Sequence, residues 1–159
     1  MITQDFLREI FDYKDGNLVW KINRTNGIKA GDIAGSKQKS GYIRVSIKDR
    51  PHSVHRLIFL WHHGYLPKSV DHKDRDRSNN KIENLRAATA TQNQGNRSLN
   101  KTNTSGFRGV GWHKKYNKWC ARISINGKLK NIGQFDSIED ARAAYQREGI
   151  SHFGEFANV

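Results

Sequence analysis

The sequence predicts an α+β chain built as two small modules. Only 35% of its 159 residues are hydrophobic and the mean hydropathy is −0.84, so any apolar core is small and shared among short elements. A strand-period segment at residues 42–48 lies between segments with helical spacing, and a second group of strand signals followed by a helix signal begins near residue 109. Strands and helices that fall in separate runs, without regular alternation, give segregated layers instead of a parallel sheet.

Each element has a local reason. Phe6, Leu7, Ile10 and Phe11 recur at helical intervals behind Thr3, a capping residue. Asp15-Gly16 then precedes residues 17–22, which read as a hairpin arm. Residues 23–41 are rich in Gly, Lys, Ser and Asn. In residues 42–48, Ile43, Val45 and Ile47 share one face while Tyr42, Arg44, Ser46 and Lys48 share the other, the pattern of a half-buried strand with a basic outer face. Leu57, Ile58, Leu60 and Trp61 fit a helix that Gly64 ends, with Pro67 beyond. Residues 70–85, VDHKDRDRSNNKIENL, are too polar to form a packed core. Helical signals return over residues 89–97, and the polar run SLNKTNTS at 98–105 reads as a linker.

The expected organisation is therefore a first module at 1–97, with a β-rich arm at 1–50 and a core at about 54–97. After the linker at 98–105 comes a second module at 106–159. There, residues 109–113, 118–125 and 128–135 form three short strands, with Asn126-Gly127 as a hairpin turn. Ser137 caps a helix with Glu139 and Asp140 in its first turn, and Ala141, Ala144, Tyr145 and Glu148 continue it. That module is a three-stranded antiparallel sheet packed on one helix, with Phe107, Trp119, Phe135 and Tyr145 expected to pack between the two layers.

Charge narrows the function. Lys and Arg number 28 against 15 Asp and Glu, a net +13, so an acidic partner is expected. A membrane is the poorer candidate, because the apolar run at 57–61 is far shorter than the roughly 18 residues a span needs. The first residues lack a basic region followed by a long apolar stretch, so no secretion signal is read and a cytoplasmic location is expected. Cys120 is the only cysteine, which excludes an intrachain disulfide and a Cys-pair zinc ribbon, and no structural zinc is expected. Between Glu83 and Asp136 lie ten Lys and Arg side chains, Lys101 among them, and no acid, with Trp112, Tyr116 and Trp119 interleaved. Basic strands with aromatic side chains among them favour a nucleic-acid face.

One constellation carries chemistry. Asp71-His72, Asn79-Asn80, Glu83-Asn84-Leu85, Thr89 and Asn93 form an ordered set over residues 71–93 that resembles the HNH endonuclease family with its ββα-metal core. Val54-His55-Arg56-Leu57, Gly64-Tyr65-Leu66-Pro67, Gly31-Asp32-Ile33-Ala34-Gly35 and Gly41-Tyr42-Ile43-Arg44-Val45 are similar to the upstream parts of phage-type members. The resemblance implies His72 as general base, Asn84 as the residue that holds the loop and orients the histidine, and Asp71 with Asn93 as ligands of Mg²⁺ or another divalent cation such as Mn²⁺. Asn93 is preferred to Asn96 because Thr89-x-x-x-Asn93 follows the family spacing, with Asn standing where the eponymous motif ends in His. Asp71 and His72 are strand neighbours pointing to opposite faces, so each can serve a different task. A neutral imidazole suits proton abstraction from water, and a hard cation with few protein ligands keeps waters and accepts phosphate oxygens. Arg56 is expected to reach a phosphate, and His55 is a weaker candidate for the same site.

Residues 105–158 resemble the APETALA/ethylene-response-factor DNA-binding domain. The resemblance rests on Ser105-Gly106-Phe107-Arg108-Gly109-Val110, Lys118-Trp119-Cys120-Ala121-Arg122-Ile123, Ile132-Gly133-Gln134-Phe135-Asp136 and Phe153-Gly154-Glu155-Phe156-Ala157-Asn158. It implies a sheet that enters the major groove, with Arg108 and Arg122 as base contacts and Trp112, His113, Ser124, Lys130 and Asn131 on or beside the same face. Lys114, Lys115 and Lys128 are expected on phosphates. Gly111 stands where the plant proteins usually carry Arg, so the target sequence does not transfer.

Together these resemblances imply a metal-dependent nuclease of the free-standing homing or phage type acting on double-stranded DNA. It would be a monomer or homodimer, in the host cytoplasm if phage-encoded. The rivals are a catalytically inactive sequence-specific DNA-binding protein and an RNA- or ribosome-associated basic protein.

Overall fold

The computed structural model describes residues 2–24, 27–100 and 102–158; Lys101 of the basic stretch lies outside them. The chain divides into two compact units, Met1–Ala88 and Thr89–Val159.

The first unit opens with α1 (Gln4–Ile10), where the Thr3 hydroxyl accepts from the Phe6 amide at 3.2 Å and Leu7 and Ile10 face inward. The chain turns at Phe11 into the hairpin β1 (Phe11–Lys14) and β2 (Asn17–Trp20). Asp15 and Gly16 both take positive φ, 45° and 83°, as a two-residue turn with the twist of its strands requires. A second sheet follows, ordered β3 (Ser36–Lys37), β4 (Ile43–Ile47), β5 (Arg50–Ser53), and in it Val45 and Ile47 are buried while Arg44 and Ser46 are exposed. α2 (Val54–His63) buries Val54, Leu57 and Ile58 and stops at Gly64, which is left-handed at φ 74°. These elements share one core built around Leu7, Phe11, Leu18, Val54 and Ile58, each at most 1% exposed.

Against that core lies a two-stranded antiparallel ribbon, β6 (Ser69–His72) and β7 (Leu85–Ala88), with Asp71 opposite Arg86 and His72 opposite Leu85. Val70 and Leu85 anchor it in the apolar cluster. The connection between the strands ends in one 3-10 turn at Ile82–Asn84.

The second unit begins earlier than the linker composition suggests. α3 (Ala90–Gly95) starts with a reciprocal cap, in which the Thr89 hydroxyl accepts from the Gln92 amide and the Gln92 side chain accepts from the Thr89 amide. At its other end, a Cβ on Gly95 would lie 2.6 Å from Cγ of Phe153, and the Asn158 amide donates to the Gly95 carbonyl at 3.1 Å. α3 thus packs on the chain's last residues, which places the division before it and not at 98–105. Part of the presumed linker is also built: Ser105 Oγ donates to the Val110 carbonyl at 2.7 Å and Asn103 Nδ2 to the Phe107 carbonyl at 2.9 Å.

β8 (Val110–His113), β9 (Lys118–Ile125) and β10 (Lys128–Phe135) form the antiparallel sheet, ordered β10-β9-β8, and Asn126-Gly127 make the β9–β10 turn at φ 51° and 78°. α4 (Ile138–Phe153) starts at Ser137, whose hydroxyl accepts from the Asp140 amide at 3.0 Å. Val110, Ala121, Ile123, Ala141, Ala144, Tyr145 and Phe153 are buried, whereas Phe107, Trp119 and Phe135 are half-buried.

Candidate active site

β6 delivers Asp71 and His72, both buried, to its C-terminal end. Cross-strand register brings Arg86 against Asp71: Oδ2 accepts from Nε and from Nη2, each at 2.9 Å, with the two side chains only 10% and 12% exposed. The ion pair orients the carboxylate and balances its charge. Removing the arginine alone would leave a buried carboxylate uncompensated, a loss of about 3–5 kcal/mol in comparable pairs.

On the His72 ring, Nε2 is 2.9 Å from Oδ1 of Asn80. A carbonyl oxygen only accepts, so Nε2 carries the hydrogen and the basic lone pair of the neutral ring sits on Nδ1. Asn80 is 2% exposed and its Nδ2 meets no hydrogen-bond partner among the described residues. Burying an unsatisfied donor costs about 1–3 kcal/mol, which marks Asn80 as a residue kept for what its oxygen does.

Asn84, expected to hold the loop and to orient the histidine, has its side chain on the loop: Oδ1 accepts from the Asp74 amide, and Nδ2 donates to Asp74 Oδ1 at 2.9 Å and to the Asn79 carbonyl at 2.8 Å. Asn80 is hydrogen-bonded to the imidazole. Asp74, unremarked in the sequence reading, is the hub of the loop and also accepts from Asn79 Nδ2 at 2.6 Å. Burial disfavours its ionised form, but hydrogen bonds from Asn79, Asn84 and the Asp76 amide outweigh that and hold its carboxyl below the usual value.

Aromatic rings fix the histidine further. The His55 ring centroid lies 4.9 Å from that of His72, and Tyr42 lies 5.2 Å from His55 and 6.0 Å from His72. Arg77 stands 5.0 Å over Tyr42 and donates to the Ser40 carbonyl at 2.9 Å. Burial, then the charge His72 would carry if protonated and that of Arg56, lower the pKa of His55 to about 3, so its ring is neutral at physiological pH. Arg56, expected on a phosphate, donates to the carbonyls of Lys68 and Pro67 at 3.1 and 3.2 Å and ties α2 to the chain entering β6.

For a hard divalent cation the first unit offers a buried carboxylate already oriented by its arginine. That donor chemistry fits an ion that keeps most of its waters and takes one or two protein oxygens. The other expected ligand, Asn93, is on α3 in the second unit, as is Asn96 at the end of that helix.

The sheet of the second unit treats its cations unequally. Arg122 stands opposite Asn131, both exposed, and Ser124 opposite Leu129, which is 68% exposed. Trp112 is 45% exposed and meets Trp119 edge-on at 5.1 Å across the strand pair, while the His113 ring lies 4.7 Å from Tyr116. Lys114, Lys115 and Lys128 are exposed. Lys130 is different: it stands opposite buried Ile123, and its Nζ pairs with Glu148 of α4. Arg108 is half-buried, and its guanidinium donates to the carbonyls of Gln94, Gly95 and Arg97 at the end of α3. Two of the expected DNA contacts are thus engaged within the unit, and Arg122 and Asn131 are the pair left facing outward.

Among the described residues no helix is long and apolar enough to cross a membrane. No solved structure matches the chain. It is 32% identical over 119 residues to Protein 3.8 of Escherichia phage T7, covering 72% of this chain and 98% of that protein. It is 35% identical over 122 residues to an uncharacterized HNH endonuclease, L560, of Acanthamoeba polyphaga mimivirus, covering 75% of this chain and 62% of the viral protein. The HNH endonuclease family matches residues 52–94, the segment that holds the Asp71-His72 pair, the Asn80 and Asn84 loop, and Asn93. The chain therefore carries an HNH endonuclease domain at residues 52–94, the mark of a hydrolase that cleaves DNA.

Proposed function

We propose that this chain is a metal-dependent endonuclease of the free-standing homing or phage type, in which His72 is the general base and the second unit reads duplex DNA. The observation that carries this reading is the Asn80–His72 hydrogen bond, which directs the basic nitrogen of a buried, ring-packed imidazole away from Asn80.

Nδ1 takes a proton from a water whose oxygen attacks phosphorus, the bond to the 3′ oxygen breaks, and that oxygen takes a proton from solvent, giving 5′-phosphate and 3′-hydroxyl ends. The imidazolium so formed keeps its Nε2–H donor on Asn80, a bond that strengthens as the ring gains charge. His55, held neutral, adds no positive charge beside it. Asp71 and Asn93 would hold Mg²⁺ or a similar hard ion, which when bound neutralises charge on the phosphate and the departing oxygen. Arg122, Asn131, Ser124 and His113, which share one face by register, would face base edges with Trp112 next to that face, and Lys114, Lys115 and Lys128 would meet phosphates.

The test compares plasmid cleavage by wild type and His72→Ala, each with Mg²⁺ and with EDTA. The variant is expected to lose about 10²–10⁴-fold in rate while its gel shift of duplex DNA is retained, because the neutral imidazole carries no binding charge. Equal cleavage by both would exclude His72 as the base. Binding without cleavage by wild type would favour an inactive DNA-binding protein.

A further inference from the structure

The family match runs from β5 into α3, yet α3 is built into the second unit. This short helix of six residues is marginal on its own and depends on what grips it. Its first turn is closed by the Thr89–Gln92 cap. Its last turn has no glycine in left-handed conformation to satisfy its carbonyls, since the C-cap is Asn96 at φ −84°. A side chain does that work: Arg108 reaches back from the start of the sheet unit, with Nη1 on the carbonyls of Gly95 and Arg97 and Nη2 on that of Gln94. Phe153 closes against Gly95, and Asn158 adds its amide to the Gly95 carbonyl and its Nδ2 to the Arg97 carbonyl.

A planar cation across the carbonyl end of a helix answers its orphan acceptors and its negative pole together. Arg108 is half-buried, and burial lowers its pKa, as for a guanidinium withdrawn from water. With its two terminal nitrogens bonded to three carbonyls, it does not present the open fork that reading guanine demands. Asn93 lies one turn above this clamp.

We propose that Arg108 is a positioning residue for cleavage and not a reader of bases: by clamping the C-terminal end of α3 it sets the helix that presents Asn93 to the metal. The inference rests on the nuclease reading above, with Asn93 as a ligand.

The test uses the full chain and two readouts apart from cleavage: Mn²⁺ affinity, from the electron paramagnetic resonance of free Mn²⁺, and duplex DNA affinity by gel shift in EDTA at one ionic strength. Arg108→Ala is expected to weaken Mn²⁺ binding about 10- to 100-fold, as loss of outer-shell support does, and to leave DNA affinity within about twofold. Arg108→Lys, which keeps charge and donors without the fork, should recover part of the Mn²⁺ affinity, and it carries the test if the alanine variant fails to fold. In an Asn93→Ala background the Arg108 effect on Mn²⁺ should vanish, since the two act in series. DNA affinity reduced about fivefold to more than a hundredfold with Mn²⁺ binding unchanged is the result of a lost base contact and overturns the proposal. An Arg108 effect on Mn²⁺ that persists without Asn93 overturns it too. If wild type takes up no Mn²⁺, the nuclease reading falls first and this inference with it.

Discussion

The loop between β6 and β7 and the sheet of the second unit are both dense in polar side chains, and they use them in opposite ways. In the loop, Asp74, Asn79 and Asn84 are hydrogen-bonded to one another or to backbone, and Asn80 to the His72 ring. On the sheet, Arg122, Asn131, Lys114, Lys115 and Lys128 stand in solvent. Bond-making needs groups fixed to a fraction of an ångström before substrate arrives, because dipoles that reorganise during reaction lose their advantage. Attraction to a polyanion acts over about 8 Å at physiological salt and tolerates mobile side chains. On the proposed function, order in one region and exposure in the other suit two kinds of task.

The largest break of this contrast is Asn80→Ala. It frees the imidazole to rotate and change tautomer, and cleavage is expected to fall on the order of 10²–10⁴-fold, as when a histidine loses the partner that fixes its tautomer. Stability should change little, because losing a buried amide nitrogen that meets no hydrogen-bond partner among the described residues offsets losing the Asn80–His72 bond. A thermal melt beside a cleavage assay checks both. A large fall in melting temperature with proportionate loss of activity would make Asn80 a structural residue.

The exposed region answers more weakly. Arg122→Ala should cost about 1–3 kcal/mol of specific DNA affinity if the guanidinium pairs with one base, and relax preference at one position of the site. Competition gel shifts against single-base variants of the target measure it.

Next in size is the acid response of His55. Its folded pKa, about 3, lies below the ordinary 6.5, so between those values the unfolded chain binds the extra proton. Stability from this group is complete above pH 6.5 and is lost as pH falls towards 3, by at most about 1.4 kcal/mol per pH unit. His55→Phe should flatten that part of a denaturation series from pH 7 to 5. An unchanged slope would show that His55 does not contribute it.

How much of this was legible in the sequence depends on the range of the interactions. Local chemistry was: the caps Thr3 and Ser137, the turns Asp15-Gly16 and Asn126-Gly127, and the alternation that buries Val45 and Ile47 all act within a few residues. The Asp71-His72 pair was legible as a motif. Asn80 was not separable from Asn84, because which amide meets the imidazole depends on how the loop folds around Asp74. Arg86 carried a usable signal, since pairing β6 with β7 in register sets it opposite Asp71. The division of the chain was hidden, because polarity at 98–105 says linker while the contact that places α3, Gly95 against Phe153, joins residues far apart in sequence. The partners of Arg108 are hidden for the same reason: they are backbone carbonyls, which leave no mark on composition.

The smallest expected effect sharpens the comparison most. By sequence Lys130 and Arg122 are both cations on neighbouring strands, and charge alone ranks them equally. Register separates them: Arg122 is opposite exposed Asn131, whereas Lys130 is opposite buried Ile123 and pairs with Glu148, which His152 also contacts at 2.7 Å. Lys130→Ala should therefore alter stability by no more than about 1 kcal/mol, as exposed ion pairs do, and leave the salt dependence of DNA binding as it was. If Lys130 met a phosphate, the slope of log affinity against log salt would fall by about 0.9. A slope that drops for Lys130→Ala but not for Arg122→Ala would reverse the assignment of faces and put DNA on the helix side of the sheet.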